Sequence, residues 1–259
     1  MLSSKEYPSE RDEQFRVLLL HAFPLSSAMW DAMIAEFQNL RDDTTIVTLD
    51  FPGFGEAPRE EGWTMAGLAN AIEALLSRKG EGNRRIVVAG LSMGGYAALE
   101  FYRQFPGSVR GLVLSNTRAA ADTEAAKRAR EIFAKDALKR RSEAGIERLY
   151  PGFVSESTDP KIAIEIRQWM SDGSGEAIAD ALRAMASRQD STDLLPLAIV
   201  PSLVIASSHD AVIPAEEMRA MAMQLRDSTF IEFDAAHLSA VERPKEWAEA
   251  LASFLERVT

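Results

Sequence analysis

The run Arg85-Ile86-Val87-Val88-Ala89-Gly90-Leu91-Ser92-Met93-Gly94-Gly95-Tyr96 constrains this chain more than any other stretch. It drives a continuous apolar strand straight into a glycine-flanked serine and then into a helix. A serine on so sharp a strand-to-helix turn sits in strained backbone, and glycines on either side let neighbouring chain pass close enough for the turn to form. Gly90 and Gly94 supply that clearance. The hydroxyl is then lifted off the sheet edge, and the first amides of the following helix face any negative charge that develops beside it. A lone G-x-S-x-G is also compatible with a surface turn. Here, however, Ile86 to Ala89 reads as a strand covered on both faces, and Tyr96-Ala97-Ala98-Leu99-Glu100-Phe101 continues at helical period. Strand, elbow and helix together point to acyl-transfer chemistry with Ser92 as nucleophile.

Such an elbow belongs at the carboxyl edge of a parallel sheet, and the rest of the chain supplies one. Strands are expected at 16–20, 44–49, 85–89 and 111–114, separated by helices at 27–40 and 64–78, the second with Thr64 as N-cap. The alternation then stops. Between 118 and 193 no strand-like run occurs, and segments 123–142, 159–171 and 175–188 read as helices divided by Gly, Pro and Ser. Strand character returns at 202–206 and 229–233, with a helix between them and a terminal one at 244–257. The expected architecture is α/β: a mostly parallel central sheet flanked by helices, its core formed by 1–117 and 194–259. A helical cap, 118–193, is inserted after the fourth recognisable strand. An insertion leaving the carboxyl end of a sheet becomes a lid over the ligand site.

A serine hydroxyl needs a base, and the chain holds three histidines. His237 lies in Asp234-Ala235-Ala236-His237-Leu238-Ser239, after the last strand and before the final helix. His21 and His209 also sit at strand ends, but in this architecture the acid precedes the base. Asp210 follows the 202–206 strand and meets that order, so Ser92, Asp210 and His237 are the expected catalytic set; His209 reads as a solvated loop histidine. The oxyanion of a tetrahedral intermediate requires preorganised amides. Met93 offers one, and the backbone of Phe23 in His21-Ala22-Phe23-Pro24-Leu25 offers the other.

Composition removes several alternatives. With 46% hydrophobic and 26% charged residues over 259 positions, the chain is an ordinary soluble globular one. A formal charge of -10 argues against nucleic-acid or anionic-membrane partners. The basic stretches Arg84-Arg85 and Lys139-Arg140-Arg141 are too short to alter this. The absence of cysteine excludes disulfides, thiolate metal sites and a cysteine nucleophile. No cofactor or metal is implied. The polar N-terminus lacks an apolar leader core and no run is long enough to span a bilayer, so a cytoplasmic protein acting on a small molecule is expected.

Taken together, His21-Ala22-Phe23-Pro24-Leu25-Ser26-Ser27, Asp50-Phe51-Pro52-Gly53-Phe54-Gly55, Gly90-Leu91-Ser92-Met93-Gly94-Gly95, Ser208-His209-Asp210 and Ala236-His237-Leu238-Ser239-Ala240-Val241-Glu242-Arg243-Pro244 resemble the α/β-hydrolase superfamily over nearly the whole chain. Within it the resemblance is to the 3-oxoadipate enol-lactonase-like and carboxylesterase-like branch. That implies an α/β-hydrolase fold and cleavage of a small carboxylic ester or lactone through an acyl-enzyme. Perhydrolase or haloperoxidase chemistry, C–C bond hydrolysis, and a non-enzymatic receptor for small ligands remain alternatives on the same fold. Two departures stand out: Ala22 replaces a glycine common in relatives, and the N-terminus is short for the antiparallel hairpin that usually starts the sheet. Serine at the elbow, where haloalkane dehalogenases carry aspartate, argues against dehalogenation. A dinucleotide site at Gly53-Phe54-Gly55 fails because Glu56-Ala57-Pro58 follows, without a third glycine opening a helix.

For the substrate pocket, Arg118 at the exit of the 111–114 strand is a candidate carboxylate anchor, with Arg188 a second. Pairing of Arg118 with Asp122 or Glu124 is the structural alternative. Trp30, Trp169, Met170 and Met185 are candidate lining residues, although such side chains also serve as packing.

Overall fold

The computed structural model describes residues 2–78 and 85–258. Arg84, half of one basic pair, lies outside the described residues. Seven strands form one sheet: β1 (Ser3–Tyr7), β2 (Phe15–Leu20), β3 (Thr44–Asp50), β4 (Ile86–Leu91), β5 (Val109–Ser115), β6 (Ser202–Ser207) and β7 (Ser228–Phe233). Their order is β1-β3-β2-β4-β5-β6-β7, with every pairing parallel except β1 against β3.

The central strands are buried along their whole length, so alternate side chains enter two different cores. Leu18, Leu20, Ile86 and Val88 pack toward α2 (Met65–Arg78) and α3 (Met93–Gln104). Val17, Leu19, Val87 and Ala89 pack toward α1 (Asp31–Gln38) and the later helix α10 (Pro244–Leu255). Trp30, at the entry to α1, meets Trp247 of α10 edge-to-face with ring centroids 5.2 Å apart. It is completely buried. Trp30 therefore belongs to the core beneath the sheet and not to a substrate pocket, which corrects that expectation. A bulky apolar side chain next to an amphipathic helix is drawn to the larger apolar surface, here the face of α10.

Four helices lie between β5 and β6: α4 (Glu124–Arg140), α5 (Ser142–Phe153), α6 (Pro160–Ser171) and α7 (Gly175–Ala186). Thr123 caps α4 by accepting from the Ala126 amide, and Ser174 caps α7 by accepting from the Ala177 amide. The helix expected over 123–142 ends earlier, at Arg140. Arg141 takes φ 55° and turns the chain into α5, a helix hidden in the sequence by its internal Pro151. The two ends of this insert are stitched together. Arg188 donates to Asp122 Oδ1 at 2.6 Å and to the Ala120 carbonyl at 2.7 Å, Ser191 N–H donates to the Ala119 carbonyl, and Ala121 N–H donates to Asp190. The chain then passes through β6, α8 (Ala215–Ala222), β7 and the short α9 (Ser239–Glu242) to α10.

β1 is the strand that local pattern does not predict. Ser3-Ser4-Lys5-Glu6-Tyr7 has no apolar alternation to speak of, and it is held by backbone pairing along β3, from Ser3 opposite Asp50 to Tyr7 opposite Ile46. A polar, lysine-bearing strand suits an exposed sheet edge. No described helix is long and apolar enough to cross a membrane.

Candidate active site

Ser92 stands between the last residue of β4 and the first of α3, with φ 56° and ψ −113°. The surrounding glycines are required by contact. A Cβ on Gly90 would lie 2.2 Å from the Gly94 carbonyl carbon, and one on Gly94 would lie 2.0 Å from the Leu20 carbonyl oxygen. The elbow is tied to the next strand as well: Ser92 N–H donates to the Ser115 carbonyl at 2.9 Å, and Thr117 Oγ1 donates to the Ser92 carbonyl at 2.8 Å. Ser92 itself is half-buried, and its hydroxyl carries no hydrogen bond among the described residues.

Asp210 and His237 meet at the ends of β6 and β7. His237 Nδ1 lies 2.8 Å from Asp210 Oδ2, and both side chains are removed from solvent. A carboxylate only accepts, so Nδ1 carries the proton and Nε2 is the nitrogen left with a lone pair. Asp210 is strongly held. Its Oδ1 accepts from the Val212 and Ile213 amides at 2.8 and 2.9 Å, and its Oδ2 also accepts from Asn116 Nδ2 at 2.9 Å. Burial pushes the Asp210 carboxyl up, but the neighbouring His237 and these hydrogen bonds outweigh it and hold the group below the ordinary aspartate value.

Asn116 is a polar joint absent from the residues expected at the site. It is wholly buried with φ 46°, a conformation asparagine tolerates better than most residues. Its amide nitrogen also donates to Ser207 Oγ, and its carbonyl accepts from Ser115 Oγ and Ser239 Oγ. Every hydrogen-bonding capacity of the side chain is thus used, linking the ends of β5 and β6 to the loop bearing His237. The only trace in the sequence is an asparagine closing an apolar strand.

The loop holding Phe23 is fixed at both ends. His21 Nδ1 donates to the Ala22 carbonyl at 2.9 Å while Nε2 accepts from the Phe51 amide at 3.0 Å, a neutral-ring arrangement. Burial pushes this imidazole down to about 4. Farther along, Ser27 N–H donates to Asp50 Oδ1 at 2.7 Å, and Asp50 Oδ2 accepts from Glu56 N–H. The extra methyl of Ala22 is buried in the core on the α1 side, and the Ala22 amide meets Met29 Sδ at 3.2 Å. Neither the Phe23 nor the Met93 amide is hydrogen-bonded among the described residues.

The remaining expected pocket residues divide. Trp169 is half-buried and lines a cavity of about 190 Å³ with Pro24, Leu25 and Ser26 of the Phe23 loop, Gly53 to Gly55, and Asp172 and Gly173. Arg118 is engaged by protein: its guanidinium lies 3.2 Å from Glu217 and donates to the Val212 carbonyl at 3.3 Å. Its expected alternative partners are taken, Asp122 by Arg188 and Arg130, Glu124 by Lys127. Arg188 is buried against Tyr96, 4.1 Å from the ring centroid. Met170 and Met185 are core residues. His209 is exposed and faces Asp234 at 2.9 Å.

The sequence profile of the alpha/beta hydrolase family matches residues 17–250. Among curated proteins, 3-oxoadipate enol-lactonase 2 of Acinetobacter baylyi is 26% identical over 233 residues, spanning 89% of this chain and 84% of that one. A thermophilic esterase from Thermogutta terrifontis superposes with a TM-score of 0.93 at 35% identity, covering 99% of this chain and 93% of that chain. The enol-lactonase from Burkholderia xenovorans LB400 shares the fold, with a TM-score of 0.85 at 20% identity over 98% of this chain and 96% of that one.

Proposed function

Because the chain belongs to the alpha/beta hydrolase family, we propose that it is a serine hydrolase cleaving a small carboxylic ester or lactone through an acyl-enzyme on Ser92. The observation that carries this reading is the buried 2.8 Å contact between Asp210 and His237 Nδ1, which leaves Nε2 as the basic nitrogen. His237 Nε2 takes the Ser92 proton as Oγ attacks the carbonyl carbon, and Asp210 stabilises the imidazolium that forms. The Phe23 and Met93 amides hold the oxyanion. Collapse of the intermediate breaks the bond to the leaving oxygen, which takes the proton from His237. Water, deprotonated by the same nitrogen, then attacks the acyl carbonyl and releases Ser92 and the acid. The names carried by relatives, esterase and enol-lactonase, support the ester or lactone class.

In this reading residues 118–193 act as a cap. Trp169 in the cavity beside the Phe23 loop supports that role. A substrate without a carboxylate is favoured, because Arg118 is held by Glu217 and the charged residue lining the cavity beside the Phe23 loop is Asp172. Purified protein and Ser92→Ala are compared on a panel of p-nitrophenyl esters, lactones and thioesters, and for labelling by a fluorophosphonate. The expected result is turnover and labelling in the wild type only. Turnover by Ser92→Ala at the wild-type rate rejects the reading.

A further inference from the structure

Two contacts from the helical insert converge on the loop that carries His237. Phe153, the last residue of α5, lies flat over the imidazole, with ring centroids 5.2 Å apart and planes inclined by 23°. Just beyond α5, Thr158 Oγ1 donates to Glu242 Oε2 at 2.8 Å. The other oxygen of Glu242 accepts from the amide of Ala236, the residue before His237, at 2.9 Å. The turn presenting Thr158 is closed on itself: Ser155 N–H donates to Thr158 Oγ1, and Thr158 N–H to the Ser155 carbonyl. Glu242 is buried, which pushes its carboxyl up despite the bonds from Thr158 and Ala236.

We propose that Phe153 and Thr158 are positioning residues for hydrolysis: Phe153 fixes the plane of the His237 ring, and Thr158, through Glu242, fixes the backbone from which the ring projects. The inference rests on His237 being the base of the proposed hydrolase. The covalent bond at Cγ and the hydrogen bond at Nδ1 hold two neighbouring points of the imidazole, and the ring is left free to tilt only with χ1 and with the backbone that carries it. A flat aromatic neighbour removes this freedom, and its π-face attracts the imidazolium that forms as Ser92 is deprotonated. A general base displaced by a fraction of an ångström loses much of its effect. Since both contacts come from the insert, displacement of the insert and misalignment of the base are one event.

The test measures kcat and KM on p-nitrophenyl acetate, the rate of fluorophosphonate labelling, and thermal denaturation as a check on folding, for Phe153→Leu, Phe153→Tyr and Thr158→Val. Leucine keeps apolar contact without a flat face, whereas tyrosine keeps the face. Phe153→Leu is expected to lose about tenfold in kcat and in labelling rate with KM little changed, and Phe153→Tyr to recover most of both. Thr158→Val is expected to lose about threefold in the same two quantities. Wild-type values in Phe153→Leu, equal losses in the leucine and tyrosine variants, or an effect confined to KM overturns the proposal. If Phe153→Leu fails to fold, Thr158→Val decides: an unchanged labelling rate rejects the inference. A wild-type chain that neither labels nor depends on Ser92 overturns the hydrolase reading and this inference with it, an outcome no Phe153 or Thr158 variant reproduces.

Discussion

Asn116 donates from Nδ2 to Asp210 Oδ2 at 2.9 Å, and that same carboxylate oxygen accepts from His237 Nδ1. The orientation of the acid is thus set by a residue on a neighbouring strand end, itself locked by three serines, Ser115, Ser207 and Ser239. Removing the amide takes one charge-assisted bond from Asp210 and leaves the three serine hydroxyls without that partner.

Asn116→Gly and Asn116→Ala should therefore lower kcat to a similar extent, by roughly 10- to 100-fold, as expected for a hydrogen bond to a charged group worth about 1.5–3 kcal/mol. They should differ in stability. At φ 46° glycine is accommodated and alanine is strained, so denaturant unfolding should place the alanine variant about 1 kcal/mol below the glycine variant. Near-normal turnover in Asn116→Gly would show that Asp210 needs no such support.

The elbow stores strain, and Ser92 bears it. At φ 56° and ψ −113° the residue occupies backbone space natural to glycine. Ser92→Ala and Ser92→Gly should both lose turnover, while Ser92→Gly should be the more stable by ~1 kcal/mol in chemical denaturation. Equal stabilities would mean that the surrounding contacts absorb the strain.

His21 should make stability depend on pH. Its folded value is about 4, below the roughly 6.5 of an exposed histidine, so between these values the unfolded chain binds more protons. Stability therefore falls as pH drops through that window, by at most on the order of 3 kcal/mol from this group, and changes no further below it. Unfolding free energies measured from pH 7 to 4 should show a shallower slope in His21→Asn. An unchanged slope would remove His21 as the source.

Arg188 and Asp122 form a buried pair that closes the base of the helical insert, with side chains only 4% and 3% exposed. Burial pushes the Asp122 carboxyl up, but Arg130 and Arg188 together hold it below its ordinary value. Arg188→Gln should cost about 3 kcal/mol, as when one partner of a buried pair is removed. Hydrogen exchange should quicken first in 118–122 and 187–191, where the two ends meet. Protection lost uniformly over the sheet instead would show that the pair supports the whole fold.

Much of this arrangement is legible in the order of the residues alone. The elbow announces itself because its requirements are local: an apolar strand, glycines at positions where a Cβ would strike backbone at 2.2 and 2.0 Å, and a helix following at once. Strands β2 to β6 are readable for a similar reason, since a strand packed into a sheet between helices carries a concentrated apolar run, and the half-buried edge strand β7 shows itself by its aromatic and β-branched residues. The order of Ser92, Asp210 and His237 singles out the pair that meets at 2.8 Å. What escapes depends on partners distant in the chain. β1 has no apolar pattern of its own and exists through the backbone of β3, and α5 survives an internal proline.

The sequence by itself determined the parallel sheet, the helical interruption and the placement of Ser92, Asp210 and His237 at the ends of strands, because periodicity, turn chemistry and chain order act over short spans. Only the tertiary structure decided which polar and aromatic side chains serve the site. Trp30 pairs with Trp247 in the core, Arg118 is claimed by Glu217, and Asn116 and Phe153 reach Asp210 and His237 from elements far away in sequence. A side chain's role is set by the nearest complementary surface or charge after folding, and that neighbour is not encoded in the residues beside it.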